Sequence, residues 1–424
     1  MKDETIAIHT GYQTDPTTKA VAVPIYQTVA YEFDNAQHGA DLFNLAVPGN
    51  IYTRIMNPTN DVLEQRVAAL EGGVAALALS SGQAAIHYSI INIAEVGNNI
   101  VSVPMLYGGT YTLFAHMLPK LGIDVRFAKD DRAASMEPLI DDKTAAVYCE
   151  TLGNPAGNIP DLEAIAALAH RHGIPLIVDN TVPTPVLMKP IEFGADIVVH
   201  SLTKYMGGHG TSIGGIIVDS GKFPWAEHAK RFPMLNNPEP AYHGVIYTEA
   251  LGPAAYIGRV RTVALRNTGS AMSPMNAFFF LQGIETLSLR MERHTENALN
   301  VAHYLEKHPG VAWVKYAGLP SSEYYQLAQK YMKGRPSALL AFGIKGGFDA
   351  GVKFYDALKL FKRLVNIGDA KSLAAHPAST THRQLTEPEL AAAGVTADMI
   401  RLCIGIEHID DILEDLEQAL AAAS

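Results

Sequence analysis

From about residue 61 onward, short apolar runs alternate with amphipathic stretches. Residues 61–71 place Val62, Leu63, Val67 and Leu70 at helical spacing, which predicts a helix. Apolar runs then predict strands at 74–79, 99–103, 123–128, 145–149, 175–179, 195–200 and 215–218. Helical periods fall between them at 84–94, 110–120 and 162–172. Strand–helix alternation of this kind predicts an α/β domain with a mainly parallel sheet. The strand runs are apolar on both faces, as expected when helices cover both sides of the sheet.

Residues 219–270 show no clear period. After Ser273-Pro274 the pattern predicts one long helix over 276–307. A smaller α/β region follows, with strand or helix signals at 337–342, 349–358, 399–404 and 411–422. The first sixty residues read as irregular and carry Pro16, Pro24, Pro48 and Pro58. A segment this long without regular structure is usually functional or tied to a partner. The expected division is an arm over 1–60, a large domain over 61–256 and a C-terminal domain over 257–424.

Composition narrows the function classes. The chain has 424 residues, 48% hydrophobic and 18% charged, with a formal charge of −10. That balance lacks the basic footprint of a nucleic-acid binder or an anionic-membrane binder. Two cysteines, Cys149 and Cys403, exclude a disulfide scaffold and an all-cysteine metal cage. No apolar run reaches the roughly 18 residues of a membrane helix. The opening Met1-Lys2-Asp3-Glu4-Thr5 has no apolar core of a secretory signal. The expectation is a cytoplasmic enzyme of small-molecule metabolism, with no metal.

Four features carry candidate chemistry. Ser201-Leu202-Thr203-Lys204 follows the apolar run 197–200. Lysine forms a Schiff base with an aldehyde cofactor, and hydroxyls bind a cofactor phosphate. Taken alone, a surface lysine in a turn is the commoner case. Asp179 ends the run Pro175-Leu176-Ile177-Val178, where parallel sheets place ligands; there a carboxylate suits a pyridine nitrogen, or simply caps a turn. Ser80-Ser81-Gly82-Gln83 leads from a strand into a helix, so backbone N–H groups there bind a phosphate or Ser81 merely caps the helix. Tyr107, in Leu106-Tyr107-Gly108-Gly109-Thr110, either stacks on a flat ring or only packs. All four fall after strands of one sheet, and that coincidence favours the chemical reading.

With Ser81-Gly82, Tyr107, Asp179 and Ser201-x-Thr203-Lys204 in place, the chain resembles the Cys/Met-metabolism family of pyridoxal-phosphate enzymes. That family has the type I, aspartate-aminotransferase-like fold. The resemblance runs from about Thr5 to Glu417. It includes Tyr52-Thr53-Arg54-Ile55-Met56-Asn57-Pro58-Thr59-Asn60, Asp179-Asn180-Thr181, residues 201–215, residues 282–291 and residues 368–379. The stretches 52–57, 80–83, 282–291 and 368–379 are most similar to the branch that exchanges the acetyl group of O-acetyl-L-homoserine for sulfide or a thiol. Relatives often carry Met where Gln83 stands. Methionine γ-lyases carry Cys where Gly109 stands, which weakens a lyase reading.

The resemblance implies pyridoxal 5'-phosphate as cofactor and a role for each matching residue. Lys204 would hold the cofactor and shuttle protons, Asp179 would pair with the pyridine nitrogen, and Tyr107 would stack on the ring. Ser81, Gly82, Gln83, Ser201 and Thr203 would bind the phosphate, with Asn154 near the cofactor hydroxyl. Tyr52 and Arg54 would reach the neighbouring subunit's phosphate, in a homotetramer built from dimers with shared sites. Arg401 would grip the substrate carboxylate, helped by Ser372 and Tyr52. An arginine within an apolar strand suits a bidentate clamp, with a structural ion pair as the alternative. A γ-lyase or cystathionine synthase on the same scaffold is the rival within the family.

One decoy needs separate treatment. Gly210-Thr211-Ser212-Ile213-Gly214 matches the G-x-S-x-G hydrolase elbow, but that elbow needs a strand before the serine and a helix after it. Here the order is reversed. The sixteen histidines include no H-E-x-x-H pair, so His200, His209, His376 and His382 read as structural or supporting residues.

Overall fold

The computed structural model describes residues 1–44, 46–154, 157–380 and 394–423. Its first sheet has seven strands: β1 (Ala75–Leu79), β2 (Asn99–Ser102), β3 (Asp124–Phe127), β4 (Thr144–Glu150), β5 (Leu176–Asp179), β6 (Ile197–Ser201) and β7 (Gly215–Asp219). Their order is β1-β7-β6-β5-β4-β2-β3. The pairings β2–β3, β2–β4, β4–β5 and β5–β6 are parallel. β7 runs antiparallel to both β1 and β6. No helix lies between β6 and β7, and a parallel return would need a crossover of a dozen or more residues, usually helical. The expected α/β class and mainly parallel sheet stand. Every residue of β2, β4 and β7 is buried, which explains why those runs are apolar throughout.

The second sheet has five strands: β8 (Val311–Lys315), β9 (Leu339–Ile344), β10 (Lys362–Arg363), β11 (Leu373–Ala375) and β12 (Met399–Cys403), ordered β10-β11-β12-β9-β8. β12 is central, paired antiparallel with β9 and β11. Helices Gly347–Ala357 and Ile409–Ala423 pack on each other, and the first also packs on β9 and β12. β8, β10 and β11 carried no recognisable period. β10 and β11 are too short to show one, and β8 is half exposed.

Four expectations need correction. The long helix over 276–307 is two helices, Pro274–Glu285 and Leu287–Lys307, broken at Thr286. Arg290 donates to the Gly283 carbonyl at 2.6 Å, so an acceptor freed at the break keeps a partner. The helix over 110–120 is a succession of a short α-helix Gly108–Thr112, a π-turn Leu113–Met117 and a 3-10 turn Leu118–Leu121. Pro119 has no N–H to continue the α-helical ladder. The arm is less irregular than expected, with helices Asp3–His9 and Ala36–Phe43, and the next helix starts at Pro58. Short helices also occupy 233–268.

Segments Ala255–Arg259, Val260–Leu265 and Pro274–Glu285 pack on the first sheet or its helices, whereas Leu287–Lys307 packs chiefly on β8, and also on β9 and on helices Thr184–Leu187 and Asp3–His9. We therefore propose the break at Thr286 as the boundary between the two units, later than residue 257. One continuous apolar cluster runs through both units.

Candidate active site

A cavity of about 260 Å³ opens where the carboxyl ends of β4, β5 and β6 meet the second unit. Ser81, Gly82, Gln83, Tyr107, Glu150, Asn154, Asp179, Ser201, Thr203 and Lys204 line it from the first unit, and Val365, Asn366, Ile367 and Arg401 from the second. Strand ends of a parallel sheet expose successive loops on one side, which is why residues far apart in sequence converge there.

The start of helix Gly82–Ile91 forms one wall. Ser81 Oγ accepts from Ala84 N at 3.1 Å and caps the helix. A Cβ on Gly82 would sit 2.7 Å from Ser201 Cβ, so only glycine lets the helix start approach the end of β6. The uncapped N–H groups of that turn and the Ser201 hydroxyl thus share one corner, a setting for an anion. Thr203 lines the same side, but its hydroxyl also bonds Gly214: it accepts from the N–H at 3.0 Å and donates to the carbonyl at 3.2 Å.

Lys204 lies in the loop between β6 and β7. Its Nζ donates to Asn366 Oδ1 at 2.5 Å. Burial lowers its pKa from the ordinary amine value, and the charge of Arg401 adds to that. An amine so placed is more readily neutral, hence nucleophilic and basic, than a solvated lysine.

Asp179, at the end of β5, accepts from Thr181 N at 2.9 Å. Glu150 stands opposite it in the β4–β5 register and accepts from Tyr107 N at 2.7 Å. Burial raises both carboxyls above their ordinary range, and for Glu150 repulsion from Asp179 adds to it. Hydrogen bonds from Thr181 and the field of His200 pull Asp179 back down. The pair thus favours Asp179 as the anion, with Glu150 holding a proton. The Tyr107 ring is half exposed to the cavity, and a Cβ on Gly109 would meet Tyr107 Cε1 at 2.7 Å. Glycine at 109 therefore leaves the ring its room.

Arg401 sits mid-strand in β12. It donates from Nη1 to Asn154 Oδ1 at 3.3 Å and from Nη2 to the Asn366 carbonyl at 3.2 Å. Its buried Nε has no partner, and no ion pair joins it to a carboxylate among the described residues. The structural ion-pair alternative loses its basis, and a guanidinium with free donors faces the cavity.

Three expected site residues lie elsewhere. Ser372 is buried, donates to Glu407 Oε2 and accepts from Gly405 N, each at 2.9 Å, and does not line the cavity. Tyr52 and Arg54 also stand outside their own chain's cavity. Arg54 donates to the Arg266 carbonyl at 2.6 Å and lies 5.4 Å from the centre of the Tyr52 ring. Glu150 and Asn366 are among the lining residues that were missed. Glu150 ends a strand as Asp179 does, so the same positional rule would have found it. Asn366 lies in a segment without any period and reaches Lys204 only through the tertiary fold.

The decoys resolve as supporting residues. No helix follows Ser212, and β7 begins three residues later. His376 is bonded to Ser379 and the Ala397 carbonyl, and His209 to the Gly207 carbonyl. His382 lies outside the described residues. Among the described residues no group of three potential metal ligands occurs, and no helix is long and apolar enough to cross a membrane.

The family model described as Cys/Met metabolism PLP-dependent enzyme matches residues 4–421. A homocysteine synthase of Schizosaccharomyces pombe is 53% identical over 421 residues, covering 99% of this chain and 98% of its own. An O-acetyl-L-homoserine sulfhydrylase of Leptospira meyeri is 53% identical over 428 residues, covering 99% and 96%. A crystal structure from Campylobacter jejuni matches with a TM-score of 0.96 at 43% identity, over 99% of this chain and 100% of that one. It is described as a putative O-acetylhomoserine (thiol)-lyase carrying a pyridoxyl-lysine monophosphate.

Proposed function

Since the chain belongs to the Cys/Met metabolism PLP-dependent enzyme family, we propose that it replaces the acetate of O-acetyl-L-homoserine with sulfide, giving homocysteine, or with methanethiol, giving methionine. The observation that carries this reading is one cavity holding a half-buried amine, Lys204, a half-buried carboxylate, Asp179, and a guanidinium with a free donor, Arg401. The full-length relatives named for this reaction supply the substrate class.

The residues present fit pyridoxal 5'-phosphate. The Gly82–Ser201 corner, too tight for any Cβ, offers N–H groups and hydroxyls to a phosphate. Among the described residues no salt bridge reaches Asp179 or Glu150, and a protonated ring nitrogen would supply Asp179 with one. When bound, this cofactor supplies an electron sink for negative charge developing on the amino-acid carbons.

The chain's own groups divide the remaining work. Ser81, Gly82, Gln83, Ser201 and Thr203 hold the phosphate, and Tyr107 and Asn154 fix the ring. Asp179 would pair with the ring nitrogen and favour its protonated form. Lys204 Nζ would hold the cofactor and would be the base for the substrate's α-proton, a role that its lowered pKa suits. Arg401 binds the substrate α-carboxylate through its fork. Ser372 acts indirectly, tying the start of β11 to Gly405 and Glu407 beyond β12. Tyr52 and Arg54 complete the site of a neighbouring copy, in a homotetramer of two such dimers working in the cytoplasm without a nucleic-acid or membrane partner.

The test is an assay of O-acetyl-L-homoserine with and without sulfide. Homocysteine formed only with sulfide is the expected result. Rapid 2-oxobutyrate release without sulfide would instead show a γ-lyase, and transfer only to cysteine a cystathionine synthase.

A further inference from the structure

Strands β2 and β4 separate at the edge of the cavity, and the loop that carries Tyr107 leaves the sheet there. Val103 N donates to the Tyr148 carbonyl at 3.2 Å, the last backbone bond between this chain segment and β4. Pro104, Met105 and Leu106 make no backbone–backbone hydrogen bond. Tyr107 N then donates to Glu150 Oε1 at 2.7 Å, two residues beyond Tyr148 on β4. A side chain thus takes over where the strand ladder ends.

On the sheet side little else fixes Tyr107. Its carbonyl serves the following helix, Gly108–Thr112, accepting from Tyr111 N at 2.9 Å. Its side chain gives that helix no capping bond, and its ring is half exposed. A Cβ at Gly108 would meet nothing within 4 Å, so no neighbour packs against the turn. Glu150, by contrast, is buried, and a buried carboxyl is costly compared with an apolar side chain in the same place. Its position therefore calls for a reason other than packing.

We propose that Glu150 is the positioning residue for Tyr107: its carboxyl oxygen ties the loop 104–107 to β4 and so sets the plane in which the Tyr107 ring meets the cofactor. This deepens the cofactor reading and rests on it. The role needs only an oxygen acceptor, and a carboxyl accepts from an N–H whether or not it carries a proton. The lever is short, since Tyr107 N is bonded to the Cα that bears the ring, and a shift of the one turns the other. With the tie in place the ring stands ready before the cofactor arrives, and binding does not have to order the loop. Glu150 is also opposite Asp179 in the β4–β5 register, so one strand pair places both the ring support and the partner of the ring nitrogen.

The experiment compares wild type, Glu150→Gln, Glu150→Leu, Tyr107→Ala and the double variant Tyr107→Ala with Glu150→Leu, as full-length proteins titrated with pyridoxal phosphate. Its readouts are cofactor affinity and the circular dichroism of the visible band, which follows the orientation of the bound ring. Glu150→Leu is expected to bind about tenfold more weakly, the scale of one lost hydrogen bond, and to change the dichroism. Glu150→Gln keeps an oxygen acceptor and is expected to recover most of both. On the Tyr107→Ala background Glu150→Leu is expected to add no further loss, because residues that act through one another are not additive. Equal losses in Glu150→Gln and Glu150→Leu, or an undiminished loss on the alanine background, would show that Glu150 acts by another route and overturn the proposal. If Glu150→Leu does not fold, Glu150→Ala takes its place in the same cycle. A wild-type protein that shows no visible band with pyridoxal phosphate would overturn the cofactor reading itself, and this inference with it.

Discussion

Lys204 Nζ and Asn366 Oδ1 are 2.5 Å apart, so the reactive amine is held by a residue of the other unit. The Asn366 carbonyl also accepts from Arg401 Nη2. One residue therefore sets both the amine and the carboxylate clamp, and the two units must be docked for the site to exist.

Asn366→Ala is expected to lower kcat/KM by about 10- to 100-fold, the range for a hydrogen bond to a charged group. Steady-state kinetics with O-acetyl-L-homoserine and sulfide measure it. Unchanged kinetics would mean that the bond does not persist during turnover.

Lys204→Met is expected to abolish turnover and to stabilise the apoprotein at pH 7. The folded-state pKa of Lys204 lies below the ordinary amine value of 10.5, chiefly through burial. The charged form is therefore disfavoured by folding, and the cost grows as pH falls from 10.5 to the folded value. Thermal melts of the two apoproteins should differ at pH 7 and converge above the ordinary value. A lower melting point for the variant at pH 7 would contradict the argument.

The two carboxyls should respond unequally. Asp179→Asn is expected to cut kcat by at least about 100-fold, since the ring nitrogen loses its anion. Glu150→Gln should cost less than about tenfold, because an amide imitates a carboxyl that already keeps its proton. In the apoprotein Glu150→Gln should also relieve a penalty that appears as pH rises above the ordinary carboxyl value of 4.5. Equal losses of activity in both variants would refute the division of roles.

Arg401→Lys retains a positive charge but loses the fork. The expected outcome is a KM for O-acetyl-L-homoserine raised on the order of 100-fold, the scale for breaking a buried charged pair. A change confined to kcat would point to a different role.

The arm is tested by mixing subunits. Arg54→Ala and Lys204→Ala are each expected to be inactive or nearly so. Refolded together in equal amounts, half the dimers are hybrids with one intact site of two, so activity returns to roughly a quarter of wild type. No recovery would show that Arg54 serves its own chain.

The α/β class was legible because the strands of the first sheet are apolar on both faces and separated by helical periods. Lys204, Asp179, Ser201 and Ser81 were legible because each falls where a strand ends or a helix begins, and those positions are local. Glu150 was legible by the same rule and was passed over. The break at Thr286 was not, since Arg290 and Gly283 relate through three-dimensional packing that no periodicity records.

The sequence by itself determined which residues stand at strand ends and which chemistry each can do, because side-chain type and local period are properties of the chain. Only the tertiary structure decided that Asn366 meets Lys204, that Arg401 lacks an ionic partner among the described residues, and that Ser372 is bound to Glu407 instead of facing the cavity. Those facts depend on how the two sheets dock. The free energy of docking comes from a shared apolar cluster, whose geometry does not follow from spacing along one strand or helix.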